Sequence, residues 1–268
     1  MLETASESGA VLGDYRIYSG SADELVEQVM TDLDAGKPAQ MLACLNPHSF
    51  VVALDDRPFR DALLAADWLL PDGAGILWAS KTLGMGLQRR ISGPDMFERI
   101  NAAANERPGT RVLLVGGPAE TVNAVGDRLS SEFPGLDIVG RLTPRMTPVF
   151  DDNDVAMIAE ASNTAGAEII WLGLGAPKQE RLAHRLAPAV GARFIGSVGA
   201  AFDFYSGRVQ RSSPRMRSLG LEWLPRLLQN PARLWRRTFV SAPLFIAHVA
   251  ALAMTWRSRS DDVRSRTL

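Results

Sequence analysis

The stretch Trp171-Leu-Gly-Leu-Gly-Ala-Pro-Lys-Gln-Glu180 decides how this chain folds. The apolar run Ala167-Glu-Ile-Ile-Trp-Leu172 leads into it and reads as a buried strand, while 178–186 after it has the composition of a helix. Gly173 and Gly175 permit a tight turn and a close backbone approach. Pro177 suits the first helical position, where its missing N–H costs nothing. Free N–H groups and Lys178 at a helix N-terminus then make a seat for a diphosphate. A plain strand-to-helix turn would use the same residues.

Working outward, the same unit recurs. The strand 110–115 runs into Gly116-Gly117-Pro118-Ala-Glu120 and a helix, and 192–198 closes on Gly199-Ala-Ala-Phe-Asp203. The strand 40–45 is broken by Asn46-Pro47, with a helical pattern following through 59–66. A short strand, 67–71, ends in Asp72-Gly73 before an apolar helix at 74–83. Ser21-Ala-Asp-Glu24 opens a helix as a capping box, and Arg89-Arg-Ile-Ser-Gly-Pro-Asp95 is a loop opening another. Further on, 136–139 reads as a strand and 153–162 as a helix. Continuous apolar strands alternating with helices predict an α/β fold with a parallel sheet covered on both faces. Ligands of such sheets bind outside the carboxyl ends of the strands. Asn46, Asp72, Gly116, Gly173 and Gly199 all fall at that edge.

The bulk properties narrow the function classes. A chain of 268 residues, 46% hydrophobic and 22% charged, has a globular profile with room for one large domain and an appendage. The single cysteine, Cys44, excludes an intrachain disulfide framework and points to a reducing compartment. The polar, acidic first residues lack a signal-peptide pattern, and 1–14 reads as disordered. From Gly207 onward twelve Arg stand against Glu222, Asp261 and Asp262, leaving +9; the chain's net −1 then assigns −10 to the remainder. A basic, aromatic-bearing tail on an acidic body points to an anionic partner such as a membrane surface or a diphosphate. Nucleic acid is disfavoured, because the body is acidic and no recognition motif occurs. The stretch 239–256 is apolar but for Ser241, His248 and Thr255. Its Pro, its His and its flanking arginines favour a helix lying in the interface over a span.

Several chemistries are excluded. No Gly-Lys-Ser/Thr loop exists, and Gly173-Leu-Gly175-Ala-Pro-Lys178 puts Lys where a dinucleotide fingerprint has its third Gly. His48, His184 and His248 are scattered, so no metal-ligand spacing appears and no cofactor is expected. Asp152-Asn-Asp154 has an acid-x-acid form, but at a helix start acids serve as caps. Asp72 ends an apolar strand at an open edge, where apolar surroundings raise a carboxyl toward the range of a general base. An Asp-Gly turn is the plainer reading of the same two residues.

Leu45-Asn46, Leu70-Pro-Asp-Gly-Ala-Gly75, Arg90-Ile-Ser-Gly-Pro-Asp95, Leu114-Val-Gly-Gly117, Phe133-Pro-Gly135, Gly173-Leu-Gly-Ala-Pro-Lys-Gln-Glu180, Gly199-Ala-Ala-Phe-Asp203 and Leu221-Glu-Trp223 occur together and in this order. The ordered set resembles the WecG/TagA/CpsF glycosyltransferase family, over about 15–245. The resemblance implies a Rossmann-like core at 15–206, a basic, membrane-proximal helical appendage at 207–268, and no catalytic metal. It implies an inverting enzyme that moves a hexose, such as N-acetylmannosamine or its uronic acid, from a UDP-sugar. The acceptor implied is a polyprenyl-diphosphate-linked sugar, in cell-surface polysaccharide synthesis. The enzyme would be cytoplasmic, peripheral on the inner face of the plasma membrane, with a homo-oligomer allowed. By the same resemblance Asp72 is the base, with Asn46, Arg90 and Gln179 as its pocket partners. Gly116, Gly117, Gly173, Gly175, Pro177, Lys178, Glu180, Gly199 and Asp203 form the nucleotide and diphosphate seat, and Arg226, Arg233 and Arg236 close on the diphosphates.

The chain departs from the family pattern at three places. Thr-x-Asn is here Cys44-Leu-Asn46, Gly-Tyr-Phe is replaced by Arg141-Leu-Thr-Pro, and Arg-Ala-Pro is Arg211-Ser-Ser-Pro214. All three bear on which sugars are handled. A non-catalytic, membrane-tethered nucleotide-binding scaffold is the rival reading.

Overall fold

The computed structural model describes residues 9–211, 216 and 237–265. Arg226, Arg233 and Arg236 lie outside the described residues. An antiparallel hairpin, β1 (Gly9–Leu12) and β2 (Tyr15–Tyr18), precedes α1 (Ala22–Asp34) and β3 (Gln40–Leu45). Next come α2 (Pro47–Asp55), α3 (Arg57–Leu64), β4 (Trp68–Pro71), α4 (Ala74–Leu83) and α5 (Gly93–Asn105). They are followed by β5 (Thr110–Gly116), α6 (Ala119–Glu132), β6 (Leu136–Leu142) and α7 (Asp152–Thr164). The core closes with β7 (Ile169–Gly173), α8 (Lys178–Leu186), β8 (Phe194–Ser197) and α9 (Ala201–Tyr205). A π-helical turn (Arg237–Ser241) then leads into α10 (Ala242–Ser265).

The six strands after the hairpin form one parallel sheet, ordered β4-β3-β8-β7-β5-β6. Alternation along the strands sends side chains to two cores. Leu42, Leu114, Trp171 and Phe194 pack beneath α1, α5, α6 and α9. Ala43, Leu45 and Leu69 meet α2 and α4, while Leu113, Ile170 and Ile195 meet α7 and α8 on that same second face. The architecture is the expected Rossmann-like α/β sandwich, with helices on both faces.

Two expectations are corrected and one is extended. Residues 9–12 are not disordered: Leu12, Tyr15 and Ile17 of the hairpin are buried in the second core. Asn46-Pro47 does not simply break a strand. Asn46 caps α2, its Oδ1 accepting from the His48 and Ser49 N–H groups, and Pro47 starts the helix. The C-terminal region is not wholly an appendage either. Phe245 and Val249 of α10 are fully buried against α2, with the Phe245 ring edge-on to Phe50 at 5.3 Å. Ser241 Oγ lies 2.8 Å from His48 Nδ1, which fastens the turn before α10 to the start of α2. No described helix is long and apolar enough to cross a membrane.

Candidate active site

The crevice follows from the connections. The chain leaves β3 into α2 on one face of the sheet and leaves neighbouring β8 into α9 on the other. Diverging exits between adjacent parallel strands open a cleft at their carboxyl ends. Close packing draws the neighbouring loops to it. Gly75 presses so near Pro47 that an added Cβ would meet its Cγ at 2.4 Å, and Gly73, at φ +91°, faces Asn46. Asp72 is therefore delivered beside Asn46, with its own N–H bonded to the Leu45 carbonyl at 2.9 Å. The Ile91 N–H bonds the Pro71 carbonyl at 3.1 Å, which brings Arg90 to the same corner. Gly93, opening α5, fits closely between Cys44 Sγ and the Val198 carbonyl.

Gln179 closes the floor. Its Oε1 accepts from the Gly175 N–H at 2.9 Å and the Gly199 N–H at 3.0 Å, tying the turn after β7 to the turn after β8. Its Nε2 donates to Glu180 Oε1 at 2.8 Å, which leaves one amide N–H to offer a ligand. Glu180 is 1% exposed, and its Oε2 has no hydrogen-bond partner among the described residues. Burial, only partly offset by the hydrogen bonds from Gln179 and from its own N–H, pushes its carboxyl up to about 7. Burial also pushes the Cys44 thiol well up, and Asp72 and Glu180 both push it further, so the two carboxyls share one thiol's surroundings.

Helix starts distinguish this edge electrostatically. Ser21, Asn46, Asp56, Ser92 and Asp151 cap α1, α2, α3, α5 and α7 with their side chains. By contrast α4, α6, α8 and α9, each entered directly from the end of a sheet strand, have no side-chain cap. Their starts keep the dipole's partial positive charge, although the Gln179 and Ala201 N–H groups already bond the Gly175 and Val198 carbonyls. Asp152 and Asp154, the acid-x-acid pair, are committed elsewhere: Asp154 to the capping box and Arg145, Asp152 to Arg185. Among the described residues no group of three or more His, Cys, Asp or Glu is arranged to hold a metal.

Asn46, Asp72, Arg90, Gln179, Glu180 and Gly199 thus gather at one crevice. Other expected residues are differently employed. Gly116 and Gly173 sit side by side on β5 and β7 with the Phe202 ring against both, so they serve close packing of α9. Lys178 lies with Nζ 5.3 Å from the Phe150 ring centre. The Gly175 and Gly199 N–H groups, expected to face phosphate, are held by Gln179. Gly117 and Asp203 stay partly exposed at the same edge, beside the starts of α6 and α9. The sequence reading passed over Arg211, which pairs with Asp95 at 2.7 Å and donates to Ser92 Oγ at 3.1 Å at the mouth of α5. Its place in the departed Arg-Ala-Pro motif was the one signal available.

The fold is that of an α/β protein of the Rossmann-like class. The chain belongs to the glycosyl transferase WecG/TagA/CpsF family, whose model matches residues 10–259. It is 30% identical over 204 residues to an N-acetylglucosaminyldiphosphoundecaprenol N-acetyl-beta-D-mannosaminyltransferase of Bacillus subtilis strain 168, covering 75% of each chain. It is 32% identical over 219 residues to the protein of the same name from Bacillus spizizenii, covering 82% of this chain and 81% of the relative.

Proposed function

We propose that this glycosyltransferase moves a hexose from a UDP-sugar to a polyprenyl-diphosphate-linked sugar, by single displacement and without a metal. The acceptor hydroxyl oxygen bonds to the anomeric carbon as the bond from that carbon to the UDP oxygen breaks. Asp72 takes the hydroxyl proton, UDP leaves from the opposite face, and the anomeric centre inverts. The observation that carries this reading is that Asp72 follows β4 at the carboxyl ends of the strands, beside Asn46 and at the corner to which the Ile91–Pro71 bond brings Arg90. UDP leaves with developing negative charge, which positioned donors must meet. The uncapped starts of α4, α6, α8 and α9 are the donors we assign from the core, and Arg226, Arg233 and Arg236 those we assign from the tail. The acceptor class is the one carried in the relatives' names.

The lipid-linked acceptor calls for a membrane surface, and α10 favours one. Its inner face is spent on the core, while Leu244, Ile246 and Met254 are 45%, 50% and 66% exposed, with Phe239 65% exposed just before it. A helix so cemented lies on a bilayer instead of crossing it. We place the enzyme on the inner face of the plasma membrane. UDP release measured across a panel of UDP-sugars, with a short-chain lipid-diphosphate sugar as acceptor and EDTA in excess, tests the reading. Acceptor-dependent release from one donor is expected; binding of UDP with no transfer to any acceptor would favour the scaffold.

A further inference from the structure

Glu180 is not explained by the displacement itself. It sits under the turn after β7 with one oxygen on Gln179 and the other buried with no donor. An ionised carboxylate so enclosed lacks compensation, since among the described residues no Lys or Arg pairs with it. The Lys and Arg side chains of α8 itself are engaged elsewhere. Arg181 pairs with Asp56 at the start of α3, Arg185 with Asp152 on α7, and Lys178 faces Phe150. What shares its surroundings is the Cys44 thiol, on which Asp72 acts as well.

We infer that Glu180 is a positioning residue that works as a neutral carboxylic acid, holding the Gln179 amide across the Gly175 and Gly199 turns without adding a negative charge beside Asp72. Neutral Glu180 still accepts through its carbonyl oxygen, so the Gln179 amide stays oriented with Oε1 on both glycine N–H groups. Ionised Glu180 would keep that bond but add a second charge to a site that must hold ionised Asp72 and meet a departing diphosphate. Like charges at one site oppose each other's ionisation. The titration near 7 agrees with this, placing the change within the working range. The inference rests on the transferase reading for its functional half and on the packing for its chemical half.

The test uses the full-length chain and compares wild type, E180Q and E180M. Isotope-edited infrared spectra of labelled glutamate, recorded from about pH 6 to about pH 9, report the protonated carboxyl directly and need no turnover. A protonated band present at the acid end, lost near neutrality and missing from E180Q, is expected. In transfer assays wild-type turnover should fall about tenfold per pH unit above that titration, and E180Q should lose the alkaline fall. E180M, neutral but unable to accept from Gln179, should also lose the fall while turning over more slowly throughout. A Glu180 carboxyl already ionised at the acid end would overturn the inference, as would the same alkaline limb in wild type and E180Q. Absence of transfer from every UDP-sugar, with the band as expected, would overturn the transferase reading instead.

Discussion

Two glutamates mark the two ends of β7, and they are treated in opposite ways. Glu168, just before the strand, is buried but bonded to Arg107 Nη1 at 3.0 Å and to the Arg111 N–H at 3.2 Å, with the Arg111 guanidinium at 3.4 Å. Burial alone would raise its carboxyl, yet the Arg111 N–H and the two guanidinium groups outweigh that and hold it below the usual glutamate range. Glu180, in the first turn of α8 beyond the strand, has one side-chain donor and no cation among the described residues, and burial pushes its carboxyl up to about 7. One strand thus joins an end that is fully compensated to an end that is not. The uncapped helices and the Asp72 carboxyl lie at the second end, where under-compensation leaves interactions for a ligand to complete. Stability is built at the amino edge of the sheet, and the chemistry we propose falls at the carboxyl edge.

The largest expected effect lies at the carboxyl edge. D72N should lower turnover by about 10²–10⁴-fold, as loss of a general base does. Its thermal midpoint and UDP affinity should stay near wild type. A large fall in stability with activity retained would make Asp72 a turn residue and dissolve the contrast.

The next effect lies at the other edge and has the reverse character. E168Q should cost about 2–3 kcal/mol at neutral pH by removing the buried charge that Arg107 and Arg111 share, less than for a wholly buried pair because both guanidinium groups are partly exposed and keep Asp34 and the Gly166 carbonyl. Its turnover per folded molecule should be unaffected. Because folding lowers the Glu168 pKa, its contribution is present above the unfolded value, about 4.5. It is lost as pH falls through the folded value. Denaturation curves of E168Q and wild type should therefore converge in acid.

The smallest effect has the opposite sign. Folding raises the Glu180 pKa, so its contribution is greatest below about 4.5 and is lost as pH rises through about 7. E180Q should match wild type in acid and be the more stable of the two above neutrality. Parallel pH–stability curves for E168Q and E180Q would show that the two ends of β7 do not differ.

Much of the fold was legible because its strands are buried on both faces and read as unbroken apolar runs. The bounds of β3, α4 and α8 agree with the sequence reading residue for residue. Asn46-Pro47 ends β3 as read, but its second role went unread, because the same pair can end a strand and cap a helix. The second role is set by Phe50 and Ala53, which pack only once α2 exists. The inner face of α10 was hidden for a different reason: 242–254 is apolar nearly all round, so periodicity could not say that Phe245 and Val249 turn inward. At the site, residue types were legible and aim was not. Lys178 looked suited to phosphate, but only the packing of α7 beside α8 puts Phe150 beneath it. Gln179 gave no sign that its oxygen would be consumed by two backbone N–H groups, because Gly199 is distant in sequence.

The seating of α10 on α2 bears on how this enzyme finds its acceptor. Asn46 caps the helix that Phe245 and Val249 grip, so the exposed face of α10 and the mouth of the crevice are joined through a single rigid rod. A body resting on lipid through that face keeps rotation about the membrane normal and sliding in its plane, and gives up tumbling. Search for a lipid-linked acceptor then becomes two-dimensional, with the crevice held at a constant height above the bilayer. On the proposed docking, Asp72 and its neighbours would be carried at that height like a reading head over a surface, and the acceptor scanned instead of awaited.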